Sequence, residues 1–118
     1  MRQTILALML VPALQAQPPV RTVTELKAFF AANCARCHGY DGSAHTAEGK
    51  KLGGMDFTDA KAMAKQSDAR LVKTIQKGIF FGVVMPPFKK RINEADTLLL
   101  VQEIIRKAQK GKVIAPVE

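Results

Sequence analysis

The 118-residue sequence has no tryptophan, one tyrosine, two cysteines and two histidines. With six phenylalanines besides, a domain of about a hundred residues has a limited core of its own. Two cysteines cannot build a four-cysteine zinc site. A mixed site would need both histidines, and His45 does not stand in finger spacing from the cysteines. The uncharged apolar run at residues 5–14 falls well short of the roughly 20 residues that span a bilayer. No internal repeat, low-complexity tract or nucleic-acid motif is present, and no strand pattern flanks the cysteines.

What the sequence does have is Cys34-Ala35-Arg36-Cys37-His38. This is the C-x-x-C-H pattern of covalent c-type haem attachment. Two thiols three positions apart can add to the two vinyl groups of one haem, and the next histidine is held under the iron. The pattern has competitors. A thioredoxin-like redox pair sits near a β-α-β pattern, which is missing here. Half a zinc site lacks its other half. A small-loop disulfide remains as a bland reading. The histidine directly after the second cysteine favours haem c, one per chain and covalently bound. A second C-x-x-C-H is absent, which excludes a di-haem peroxidase on this chain alone.

Residues 1–16 read as a secretory signal peptide. Arg2 supplies the positive start, residues 5–14 the apolar stretch, and Ala13 and Ala16 the small residues before a cut after Ala16. The alternative is an uncleaved anchor. The expected mature unit is a single domain over residues 17–118, exported or periplasmic, with no membrane span. The formal net charge is +8. Removal of residues 1–16 takes away one Arg, so 8 − 1 = +7, and two haem propionates lower this to roughly +5. With no nucleic-acid motif, the excess fits a lysine surface that steers the protein to redox partners with acidic faces; plain solubility is the rival explanation.

Sequence patterns predict an all-α fold of short helices. Thr22 and Glu25 form a capping box, and Val23, Leu26 and Phe30 share one helical face that runs to about Asn33. The first helix then delivers Cys34 at its end, with His38 in the turn after it. From residue 39 to 58 no period is sustained, which predicts a long loop around the proximal side of a haem. Asp59 caps a short helix through Gln66. Ser67 and Asp68 open another, with Leu71, Val72 and Ile75 inward and Lys77-Gly78 at its end. Pro86-Pro87 forces an extended path and stiffens the loop that carries Met85. Asn93 caps the last helix. Its apolar face runs from Ala95 through Leu98, Val101, Ile104 and Ile105 to Ala108, with Asp96, Glu103, Arg106 and Lys107 on the wet side. The tail after Gly111 is expected to be loose.

A low-spin haem needs a ligand on each face. Met85, Met55, Met63 and His45 are the candidates. Met85 is preferred for its rigid support and its distance along the chain from His38. Met55 follows Gly53-Gly54 and is second; Met63 sits in a predicted helix as core filling. The sequence resembles the small soluble class I c-type cytochromes over roughly residues 23–108. The resemblance rests on a short helix before Cys34-Ala35-Arg36-Cys37-His38-Gly39, a later Met85-Pro86-Pro87-Phe88, and a closing amphipathic helix. It implies Cys34, Cys37, His38 and Met85 as haem-binding residues, with His38 and Met85 on the iron. It implies one-electron transfer rather than enzyme chemistry. A haem subunit of a larger oxidoreductase complex, or an open-site haem protein for a gas or peroxide, stands as the alternative. The carbonyl that orients His38 is expected from Lys50 or Lys51. Leu52, Phe57, Leu71, Ile75, Phe80, Phe81 and Phe88 are expected as the apolar wall, and Lys89, Lys90 and Arg91 as a docking edge.

Overall fold

A computed structural model describes residues 17–115; the expected signal peptide lies outside them. Among the described residues, six α-helices follow one another: α1 Val23–Asn33, α2 Ala35–His38, α3 Ala47–Leu52, α4 Ala60–Ala64, α5 Asp68–Lys77 and α6 Glu94–Leu100. A 3-10 turn, Phe80–Gly82, lies between α5 and α6, and a π-helical stretch, Val101–Ile105, continues α6. No β-strand occurs among the described residues; one isolated antiparallel bridge joins Ile79 and Met85.

Local chemistry sets the helix starts. Thr22 accepts from the Glu25 N–H while the Glu25 carboxylate accepts from the Thr22 N–H, so two orphan donors are satisfied reciprocally. Asp59, Ser67 and Asn93 cap α4, α5 and α6 by the same kind of side-chain acceptance. α1 packs against α6 and the π-helical stretch. Leu26, Phe30, Leu100 and Val101 meet there with at most 1% of their surface exposed. In the π-helical stretch the Arg106 N–H reaches back to the Val101 carbonyl at 2.9 Å. This wider turn lets the successive residues Ile104 and Ile105 both be buried.

Several expectations change. The segment after residue 39 holds a helix, α3, where a long loop was expected. Thr46 caps it, and Gly53 closes it in the left-handed region at φ 66°. The turn after the first helix, which holds His38, is itself a short helix, α2. Asp96 is buried, not on the wet side: its Oδ1 accepts from the backbone N–H groups of Val20 (2.9 Å) and Arg21 (3.0 Å). Leu98 is instead exposed. The tail is tied down as well. The Gly111 N–H donates to the Asp41 carboxylate at 2.8 Å, and the Ile114 N–H to the Tyr40 carbonyl at 2.8 Å. The Gly111 bond, with others from Ser43, pulls the Asp41 pKa down to about 2.

Candidate functional site

α1 ends by handing its backbone to the cysteine motif. Cys34 is the C-cap of α1 and the N-cap of α2, and the His38 N–H bonds to the Cys34 carbonyl at 2.9 Å. Both thiols are free and half-buried. Burial pushes the Cys34 thiol up to about 12, against the opposing pull of Arg91.

Burial also holds the His38 imidazole below its ordinary pKa, the hydrogen bond to Met55 acting the other way. The ring is therefore neutral near pH 7, the form that ligates metals. Its Nδ1 lies 3.1 Å from the Met55 carbonyl. A carbonyl only accepts, so Nδ1 carries the proton and Nε2 keeps a lone pair. The orienting carbonyl thus belongs to Met55, not to Lys50 or Lys51 as expected. Phe57 stacks on the His38 ring, with centroids 4.4 Å apart and planes 17° from parallel, and meets Phe30 edge-on.

α3 is latched onto the motif. The Thr46 hydroxyl donates to the Cys37 carbonyl and accepts from the Gly49 N–H, each at 2.9 Å. Gly49 comes so close that a Cβ there would lie 2.2 Å from the Cys37 carbonyl oxygen. On the other side of the chain, Met85 is fixed by a second close approach. A Cβ on Gly78, where φ is +74°, would lie 2.5 Å from the Met85 carbonyl oxygen. The Ile79 N–H donates to that same carbonyl at 3.0 Å.

Cys34, Cys37, His38 and Met85 all line one cleft, and Leu52, Phe57, Leu71, Ile75 and Phe88 contribute its apolar wall. Met55 also lines it, and its backbone carbonyl is the one that meets His38. Ile105, from the apolar face of the last helix, is also among the lining residues. His45 is exposed and Met63 is buried in the core; neither lines the cleft. Phe80 and Phe81 do not belong to the wall. They are 71% and 101% exposed, both at φ 54°, because the short turn between Ile79 and Met85 runs left-handed and aims them at water. A larger groove between α5 and α6 carries no cysteine, histidine or methionine. No cluster of three or more His, Cys, Asp or Glu among the described residues forms a metal site of its own. Two thiols that could bond to porphyrin vinyl groups, with a neutral imidazole and a thioether that could ligate its iron, share one apolar cleft, a lining that fits a covalently attached haem.

The family described as cytochrome c oxidase, cbb3-type, subunit III matches residues 21–102. Cytochrome c6 of Synechocystis sp. (strain ATCC 27184 / PCC 6803 / Kazusa) is 34% identical over 85 residues, which are 72% of this chain and 65% of that protein. The chain is a small class I c-type cytochrome. Among solved structures, the KustC0563 c-type cytochrome superimposes with a TM-score of 0.63 at 33% identity, over 71% of this chain and 96% of that one. The Kustc0563 Y40F mutant gives 0.62 at 33% identity, over 71% and 98%. The all-α cytochrome c fold and a covalently bound haem c follow from this membership. No helix among the described residues is long and apolar enough to cross a membrane.

Proposed function

We propose that this cytochrome is an exported one-electron carrier whose haem is held by Cys34, Cys37, His38 and Met85. One observation carries the reading: these four side chains line a single cleft. When bound, haem c supplies a one-electron Fe(II)/Fe(III) couple. Cys34 and Cys37 would hold the porphyrin through thioether bonds to its vinyl groups. His38 would bind the iron through Nε2, and the Met55 carbonyl holds its ring in place. Met85 would supply its sulfur to the iron from a loop stiffened by Pro86-Pro87, and methionine with histidine would favour the reduced iron. Phe57, Phe88, Leu71 and Ile75 keep water off the site. Residues 1–16 act as the signal peptide, and the domain begins near residue 17. Lys89 and Lys90, both exposed, steer acidic redox partners.

The test is the optical spectrum of oxidised protein with and without Met85→Ala. The wild type should show the weak red charge-transfer band of a methionine sulfur on ferric haem. The variant should lose it, drop in potential and bind added ligands. A band lost in Met55→Ala but kept in Met85→Ala would move the ligand to Met55, and a spectrum that neither variant changes would transfer the reading to an open-site haem protein. The matched family's description favours a second reading, a haem subunit within an oxidase complex. Purification of the protein from its own membranes in a stable complex, rather than alone, would select it.

A further inference from the structure

Four cations converge on a shallow recess. Arg21, from the segment before α1, and Lys89, Lys90 and Arg91, from the turn after the Met85 loop, line a cavity of about 330 Å³. One carboxylate shares it, Asp96, whose Oδ1 is taken by the Val20 and Arg21 N–H groups. The lining therefore carries 4 − 1 = 3 net positive charges. The ion pairs among the described residues are Arg36–Glu48, Arg106–Asp68 and Lys107–Glu103; none involves these four cations.

Both arginines are held in orientation. The Arg21 guanidinium lies over the Phe29 ring at 5.0 Å, and its Nη2 donates to the Arg91 carbonyl at 3.0 Å. Its Nη1 is buried and has no hydrogen-bond partner among the described residues. Leaving a charged donor in that state is costly, and the fixed plane of a stacked guanidinium suits an oxyanion that can accept two parallel bonds. Arg91 lies over the Phe88 ring at 5.5 Å and donates to the Asn33 side-chain oxygen. Lys89 and Lys90 are exposed, free to close over a bound group.

We propose that this recess binds one small oxyanion, a phosphate or a carboxylate, between the Arg21 guanidinium and the Lys89 and Lys90 ammonium groups. Arg91 connects the recess to the haem cleft: its side chain holds Asn33, the residue before Cys34, and both Asn33 and Phe88 line the cleft. A bound oxyanion neutralises the positive rim there and competes with the carboxylates of a partner. That regulatory consequence rests on the docking role proposed above; binding of the anion does not.

The experiment is an NMR titration of the 15N-labelled, haem-loaded protein with sodium phosphate at pH 7, with sodium chloride holding ionic strength constant. A second titration uses acetate. The expected result is a saturable shift confined to the amides of Val20, Arg21, Lys89, Lys90, Arg91 and Asn93 and to the Arg21 Nε–H. Affinity should fall about tenfold, the scale of one charge-assisted bond, in Arg21→Gln and in Lys90→Gln. The exposed Lys90 side chain makes no hydrogen bond or ion pair among the described residues, so its variant keeps the test decisive if Arg21→Gln fails to fold. Saturation by acetate as well identifies a seat for partner carboxylates; saturation by phosphate alone identifies a site for the free anion. Shifts that grow linearly, shifts spread over Lys61, Lys73 and Lys107, or no shift at all would overturn the proposal. The optical spectrum of the same sample reports the haem reading separately, so either idea can fail without the other.

Discussion

Replacing Gly49 by alanine sets two opposing effects against each other. Gly49 lies inside α3, where alanine is preferred over glycine by about 1 kcal/mol. Propensity alone therefore predicts a more stable protein. The packing predicts the reverse. The new Cβ would lie 2.2 Å from the Cys37 carbonyl oxygen, 2.6 Å from that of Ala44 and 2.9 Å from Thr46 Oγ1. Ordinary contact begins near 3.5 Å, so α3 must retreat by about 1 Å. Two of the three obstacles are backbone atoms and cannot swing aside. Overpacking of this kind costs about 1–3 kcal/mol, and breaking the Thr46–Cys37 hydrogen bond adds about 1 kcal/mol. After the propensity gain is subtracted, a net loss of about 1–3 kcal/mol remains. With a urea m-value of about 1–3 kcal/mol/M for a small domain, the midpoint should fall by roughly 1 M. The retreat should also draw the Met55 carbonyl, three residues past the end of α3, away from His38 and alter the haem spectrum. Lys50→Ala, on the exposed side of the same helix, should leave both readouts unchanged. A Gly49→Ala protein with an equal or higher midpoint would refute the close approach of α3 to the motif.

Three further outcomes are expected. Phe88→Ala removes a ring that is 3% exposed and should cost about 3–5 kcal/mol in urea unfolding; Phe81→Asn, at a fully exposed position with φ 54°, should change stability by less than about 1 kcal/mol because asparagine tolerates that backbone. Asp41 has its folded pKa pulled from 3.8 to about 2, so its contribution to stability is present above pH 4 and is lost as the pH falls from about 4 to 2. Asp41→Asn should flatten the acid limb in that window and speed hydrogen exchange at Gly111; an unaltered limb would remove Asp41 from the account. A Lys89→Glu, Lys90→Glu protein should transfer electrons to an acidic acceptor more slowly at low salt and converge with the wild type at high salt, since screening shortens to about 8 Å at physiological ionic strength; identical, salt-independent rates would leave these lysines a solubility patch.

Elements with their own caps and periods were legible in the sequence: Thr22 with Glu25, Asp59, Ser67 and Asn93 each mark a helix that forms where expected. α3 was not, because Ala-Glu-Gly-Lys-Lys-Leu offers a single large apolar residue. What secures it is the Thr46 hydroxyl on Cys37 and the missing side chain of Gly49, both of which act on another segment's backbone. Asp96 misled for a similar reason. Helical periodicity turns it outward, and only the crossing of residues 20 and 21, 76 and 75 positions away, supplies its donors. Apolarity points Phe80 and Phe81 inward, but their side-chain directions are decided by backbone handedness, which no hydrophobicity pattern records. Within the cleft, the cysteine motif and Met85-Pro86 were visible as residue types. The carbonyl of Met55 was not, since a backbone acceptor has no signature in the side chain that carries it.

Tyr40 gives the protein an optical property of its own. With no tryptophan and no second tyrosine, ultraviolet-excited emission comes from this one ring, which is 59% exposed and two residues past His38. A haem held by the neighbouring cysteines absorbs where tyrosine emits and would quench it by energy transfer over so short a range. Fluorescence therefore reports attachment without any label. It stays dark in the loaded chain, even when the fold is lost, because the covalent bonds keep donor and absorber adjacent in sequence. It brightens only in chains that never received the cofactor, so the emission of a preparation, measured in denaturant, reads out its unloaded fraction.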